Sequence, residues 1–400
     1  MARLTGEQLR EVMKQFGVTE VWSWSKVDCA INSLYEYLLK YILRVKEDRT
    51  DCAYATMGGI CHSVIEDFYS GKIQFTDMIE QFNDGWLTAI DIADLKFDRN
   101  DVTKNNSISE KYKLNLEHFF RNHQKIPHEV LLEQFMTAMI GGHLFQGYVD
   151  ARYTDDEGNI HIVDWKTSTK YSGKAAEEKC GQLVVYAISE LQKGVPMDKI
   201  KICWNFLKYV SIQYQQKNGV IKTRDVERCK IGESLQSNAK VWLKEFGYAN
   251  QMDDYLKLLL DTNSIEVLPE EVQKKYVISD CYVYVPLTKE LIDKWTNVIV
   301  TTIADIKLRE ADYKETKNDR AFWDSDESVQ AQSYYFATLC GYSPALHLPY
   351  KAYLEKLDAA KSGANMYSGV GTASDDVSAT DKVICNNDKD NVDLSWLDSI

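Results

Sequence analysis

Long apolar runs are missing from this sequence, as are paired cysteines and any excess of positive charge. No stretch reaches the roughly 18 apolar residues that cross a bilayer. The opening MARLTGEQLREVMKQFG is charged throughout and lacks the apolar core of a secretory leader. A membrane partner is therefore not expected, and a cytoplasmic location is. The nine cysteines stand singly, with no CxxC pair, which excludes the common zinc and redox spacings and suits buried, reduced thiols. Lys and Arg number 47 against 60 Asp and Glu, a formal charge of -13. Taken alone, that deficit counts against nucleic acid, because phosphate binding is driven by cations that release counterions. A local basic surface decides the matter, and metal-binding carboxylates or an acidic tail lower the total without removing it.

What is present is enough apolar material, 44% of 400 residues, for a large core in two subdomains. Apolar positions recur at helical spacing over 25–45, 55–70, 75–93 and 107–123. Pro127 breaks that pattern, and EVLLEQFMTAMI then reads as a strand. HLFQGYVDARY and IHIVDWKT flank the turn-rich DDEGN, which predicts a hairpin. A helix over 174–193, closed by Gly194 and Pro196, precedes a strand in KIKICWNFLKYV. Strand pair, helix and strand make an α/β core. Long helices are expected at 233–260 and 286–310, with more helical text at 331–357. From Lys361 the composition turns to Ser, Gly, Asn and Asp, which predicts disorder. The expected division is a mainly helical 1–127, a core at 128–232, a helical 233–360 and an acidic tail at 361–400.

Counting the hairpin from its turn sets Thr154 opposite Ile160, Arg152 opposite Ile162 and Asp150 opposite Asp164. Strand alternation puts Asp164 and Lys166 on one face, with His161, Val163 and Trp165 on the other. Asp150, Asp164 and Lys166 thus converge. Two opposed carboxylates repel unless a cation sits between them. Oxygen donors of this kind suit Mg²⁺ or Mn²⁺. A neighbouring lysine can orient or deprotonate an attacking water, or neutralise charge developing on a phosphate. An isolated D-x-K is more often an ion pair at a hairpin rim, but here the pattern is larger.

GYVDARY, IVDWKTS and QLVVYA resemble motifs II, III and IV of the RecB-like branch of the PD-(D/E)XK nucleases, which includes phage and recombination exonucleases and CRISPR adaptation nucleases. Gly58 and His62 in GGICHSVIEDF match the upstream glycine-histidine motif. The four motifs run from 58 to 186, and a weaker likeness extends from Trp22 to about Tyr353. The resemblance implies a restriction-endonuclease-like core, a mixed sheet flanked by helices, with helical additions at both ends. It implies that His62, Asp150, Asp164 and the backbone carbonyl of Trp165 ligate the metal, that Lys166 is catalytic, and that Gln182 and Tyr186 support it. Gln182 and Tyr186 also fall four apart on one helical face. Glu66, one turn after His62, either touches the metal or a water or is an ordinary polar position. Glu133, before the hairpin, stands where relatives often carry a glutamate. Thr167, Ser168 and Thr169 either meet a phosphate or end the strand, and His143 and His161 are read as strand-face residues.

Many relatives hold an iron-sulfur cluster with one early cysteine and three late ones. Here only Cys29 and Cys340 stand in such places, and four thiolates are the usual requirement. No cluster is expected, although His347 is a spare ligand type. The implied activity is hydrolysis of DNA phosphodiesters, by an exonuclease or flap-type endonuclease acting at DNA ends in replication or recombination. The alternative is a structural subunit that keeps the fold and binds DNA or a partner. DNA would meet Lys199, Lys201 and Lys208 together with the group Lys307, Arg309, Lys314, Lys317 and Arg320, charges that otherwise form a solvated helix face. The tail's end, DNVDLSWLDSI, either is a short recruitment motif for a replication or recombination protein or packs back on its own protein without a further role.

Overall fold

The computed structural model describes residues 4–47, 52–98, 101–322, 341, 342 and 355. Apart from those last three positions, the expected helical text at 331–357, Cys340, His347 and the tail from 361 lie outside the described residues. Seven strands form a mixed sheet: β1 Val21–Trp22, β2 Val130–Ile140, β3 His143–Thr154, β4 Ile160–Lys166, β5 Ile200–Gln215, β6 Ile221–Glu227 and β7 Tyr276–Val285. The chain divides into two compact units, one of Asp51–Met136 and Tyr148–Asp293, the other of Met1–Thr50, Thr137–Gly147 and Lys294–Ile400.

The first of these holds most of the sheet. The hairpin of β3 and β4 takes the register counted from its turn: Thr154 faces Ile160, Arg152 faces Ile162 and Ala151 faces Val163. Its turn is fixed by Asp155, whose Oδ1 accepts the Glu157 and Asn159 amides at 3.0 and 2.8 Å, while Gly158 supplies a φ of +76°. β4 runs parallel to the first half of β5, from Ile160 beside Ile200 to Lys166 beside Phe206. β6 then pairs antiparallel with Tyr209–Gln215. β7 pairs with β5 on both sides of a bulge between Asn205 and Val210. Arg228 Nε reaches into that bulge and satisfies the Leu207 carbonyl at 2.7 Å.

The helix Ala53–Tyr69 buries Ala53, Met57, Cys61, Val64, Ile65 and Phe68, a stripe at steps of three and four. The stripe packs with Val163, Trp165, Cys203 and Leu207 of the sheet and with Leu116, Phe119 and Phe120 of the helix Val102–Asn122. Truncating one such side chain, as in Met57→Ala, costs about 2–5 kcal/mol. A second apolar cluster joins Val210 and Ile212 of β5 and Tyr276 of β7 to the helices Ile231–Glu245 and Met252–Thr262.

Three local expectations are corrected. β7 falls inside 233–360, which was expected to be helical, because YVISDCYVYV alternates and completes the open edge of β5. The helix expected over 174–193 is two, Lys174–Lys179 and Gly181–Gln192, parted at Cys180. The helix expected over 25–45 breaks at Ser33, whose extended backbone lets its side chain cap the next turn at Glu36.

In the other unit, β1 pairs parallel with Leu144 and Phe145. Gly141 and Gly142, both at positive φ, form the two-residue turn from β2 to β3. The helix Lys289–Thr316 contributes Glu310, whose Oε1 accepts the Tyr37 hydroxyl at 2.8 Å.

Candidate active site

At the end of β4, alternation sends Val163 and Trp165 into the apolar cluster and leaves Asp164 and Lys166 on the opposite face, beside the helix Gly181–Gln192. Asp150, next before Ala151 on β3, holds a carboxylate against the neighbouring strand. Its Oδ2 accepts the Trp165 amide at 3.0 Å. Asp164 is 1% exposed, and its Oδ2 lies 2.6 Å from the Lys166 ammonium. Burial first, and then the Asp164 charge, push the Asp150 carboxyl well above the usual range, with Lys166 and the Trp165 amide only partly opposing them.

Lys166 Nζ also meets Gln182 Oε1 at 3.4 Å. Gln182 Nε2 donates to the Tyr186 hydroxyl at 2.8 Å, which donates in turn to the Tyr148 carbonyl at 2.7 Å. Burial raises the Tyr186 phenol, so it keeps the proton it donates. Four of the residues expected from sequence thus form one string, Asp164, Lys166, Gln182 and Tyr186.

His62 enters from the helix Ala53–Tyr69. Its Nε2 lies 3.0 Å from the Trp165 carbonyl oxygen, and its Nδ1 lies 3.7 Å from Asp150 Oδ2. Gly58, one turn earlier, faces Thr167, with space for a Cβ at 3.7 Å from Thr167 Oγ1. Glu66 and Glu133 also come in. Burial first, then repulsion from Glu133, raise the Glu66 carboxyl. The Glu133 charge acts on Asp150 and Tyr186 as well. Glu133 sits within β2 at φ +45°, a left-handed conformation that costs a non-glycine residue about 1–2 kcal/mol.

His161 is held away from this cluster, stacked on Tyr153 at 4.5 Å and bound to Asp155 Oδ2 at 2.9 Å. His143 packs its edge on Trp22. Lysines expected to meet DNA are partly engaged: Lys199 donates to the Glu157 carbonyl, Lys201 to the Asp198 carbonyl, and Lys307 and Arg309 pair with Glu20 and Asp305. Lys208 instead lies over the Tyr112 ring at 4.9 Å, and burial lowers it to about 8.

Tyr69 was not singled out from sequence. It follows His62 and Glu66 on the same helical face, at steps of four and three, and its ring stacks on Trp165 with centroids 6.1 Å apart.

The donors suit a hard divalent cation. Asp164 Oδ2 is buried and takes no hydrogen bond of good geometry, although the Lys166 ammonium lies 2.6 Å away. His62 Nε2 lies at hydrogen-bond distance, 3.0 Å, from the Trp165 oxygen, so an imidazole and a carbonyl stand side by side next to the acids. Among the described residues no three His, Cys, Asp or Glu side chains form a ready cluster. The set is two carboxylates and a main-chain carbonyl, with His62 against that carbonyl. No helix among the described residues is long and apolar enough to cross a membrane.

No curated protein matches the chain. The family model of the PD-(D/E)XK nuclease superfamily matches residues 21–307, a span that includes every residue of the site and well over half of the sequence. With that span matched, the chain belongs to the PD-(D/E)XK nuclease superfamily.

Proposed function

We propose that this protein is a metal-dependent deoxyribonuclease of the RecB-like branch, an exonuclease acting on DNA ends in replication or recombination, in the cytoplasm of a bacterial or phage-infected cell. The observation that carries the reading is the Lys166 ammonium 2.6 Å from Asp164, on the strand whose next amide binds Asp150.

Asp150, Asp164 and the Trp165 carbonyl would hold Mg²⁺ or Mn²⁺, with His62 completing the set and Glu66 and Glu133 bordering it. When bound, the ion supplies positive charge to the scissile phosphate and acidifies water. Lys166 stands where it can orient or deprotonate the attacking water or neutralise charge on the phosphate. Burial disfavours its ammonium, while the Asp164 and Asp150 charges favour it. It donates to the phosphate or to the incoming water while Gln182 fixes its position, and Tyr186 fixes Gln182. The segment 388–400 recruits a replication or recombination protein, and deleting it should abolish that partner's co-purification while sparing cleavage of naked DNA.

The test is digestion of end-labelled single- and double-stranded DNA with Mg²⁺ or Mn²⁺, beside an Asp164→Ala control. Stepwise loss of nucleotides from ends supports the reading. Metal-independent cleavage, or cleavage by the control at the wild-type rate, overturns it.

A further inference from the structure

Trp165 carries more of the site than its neighbours do, and through its main chain alone. Its amide binds Asp150, its carbonyl meets His62, and it lies between Asp164 and Lys166. A small rotation of this one residue would displace the whole donor set, so whatever holds its side chain sets the site's precision.

The indole is 1% exposed and is gripped by two rings of the helix Ala53–Tyr69. His62 meets it edge-on, and Tyr69 stacks on it at 24°. Tyr69 is itself pinned at its far end. Its hydroxyl accepts the Ile126 amide at 3.0 Å and lies 3.0 Å from His123 Nε2. His123 bridges that hydroxyl to Asp280, its Nδ1 lying 2.8 Å from Asp280 Oδ2. The other Asp280 oxygen takes the Arg228 guanidinium. Burial alone would raise the Asp280 carboxyl, but the His123 hydrogen bond and the Arg228 charge hold it below its ordinary value. His123, Asp280 and Arg228 are each no more than 5% exposed.

A buried ion pair of this kind is a poor source of stability, because removing two charges from water offsets most of their attraction. Directional hydrogen bonds do fix orientation. We propose that Tyr69, anchored by His123 and Asp280, is a positioning residue that sets the main chain of Trp165 and with it the carbonyl offered to the cation. The inference rests on the reading that a divalent cation binds at Asp150 and Asp164.

The experiment is Mn²⁺ titration of the full chain without DNA, followed by electron paramagnetic resonance, with thermal melting alongside. Tyr69→Phe keeps the ring and removes the anchor, and His123→Gln tests the same link should that variant not fold. Phe82→Leu, in the same apolar cluster but outside the ring and hydrogen-bond contacts of Trp165, controls for loosened packing. Affinity should fall about tenfold in Y69F or H123Q, within the range for groups that orient metal ligands, and stay unchanged in F82L. Wild-type affinity in the folded variants overturns the proposal, as does an equal loss in F82L. Absence of Mn²⁺ binding by the wild type overturns the cation reading instead, and the anchor is then judged by nitrogen NMR of labelled histidine. A His123 ring resonance that moves in Y69F supports the anchor, and one that Y69F leaves unmoved overturns it.

Discussion

Lys166 Nζ lies 2.6 Å from Asp164 Oδ2, two residues back on the same strand, so the lysine proposed to serve the phosphate is held by one of the acids proposed to serve the cation. Removing either partner should be severe. Asp164→Ala and Lys166→Met are each expected to slow cleavage by on the order of 100-fold or more, while circular dichroism stays near wild type and melting falls where the remaining charge is left buried without its partner. Lys166→Arg separates charge from basicity. If Lys166 acts by charge, K166R keeps more activity than K166M, and equal losses would point to proton abstraction.

Asp150 predicts a stability effect of opposite sign to its effect on activity. Its folded pKa is raised by burial and by Asp164. Its contribution to stability is therefore fully present below the unfolded carboxylate pKa of about 3.9 and is lost as pH rises through the raised value. In chelator at neutral pH, Asp150→Asn should melt higher than wild type and be inactive. Adding Mn²⁺ should raise the wild-type melting temperature and leave D150N where it was. A lower melting point for D150N in chelator would contradict the buried, unfavourable charge.

Glu133 combines a left-handed backbone with a charge that acts on Asp150, Tyr186 and Glu66. Strain of this kind persists where a function requires it. Glu133→Gly should relieve about 1 kcal/mol of strain and raise the melting temperature while reducing cleavage. Glu133→Gln, which retains the strain, should reduce cleavage with no gain in stability. Full activity in both would place Glu133 outside the chemistry.

Lys208 stands two residues beyond Phe206, which lies beside Lys166 in the parallel register. Burial holds it near 8, so its charge is lost between neutral and mildly alkaline pH. If DNA runs past this side of the sheet, affinity should decline from pH 7 to pH 9 by about one phosphate contact. Lys208→Gln should abolish that decline and lower the log-log salt slope by about 0.7 on single strands or about 0.9 on duplex. A slope unchanged in K208Q would remove Lys208 from the interface.

The site was legible because a hairpin turn fixes register and register fixes faces. DDEGN alone placed Arg152 opposite Ile162, and alternation then carried Asp164 and Lys166 to one side. Tyr186 and Gln182 followed from a helical step of four. β7 was not legible, since its alternating text gains meaning only beside a strand some 70 residues earlier, as Ser279 beside Ser211 shows. The anchor at His123 and Asp280 was hidden for the same reason, being a contact across 157 positions. Glu133's backbone conformation has no signature in its neighbours. The glycine pair at 141–142 did carry a hairpin signal that strand reading alone passed over.

β7 lies along one edge of β5 for most of its length, which leaves the other edge to β4 as far as Phe206 and to β6 from Tyr209 onward. Each backbone group can be paired once, so the arrival of β6 caps how far β4 can run. Lys166, beside Phe206, is the last residue of β4, and Tyr209 is the first that β6 pairs. The acids and the lysine therefore stand near the point on β5 where parallel pairing stops and antiparallel pairing begins. Lengthening β4 by engineering would displace the Asp164–Lys166 pair from the end of its strand, whereas shortening β6 would leave that pair in place.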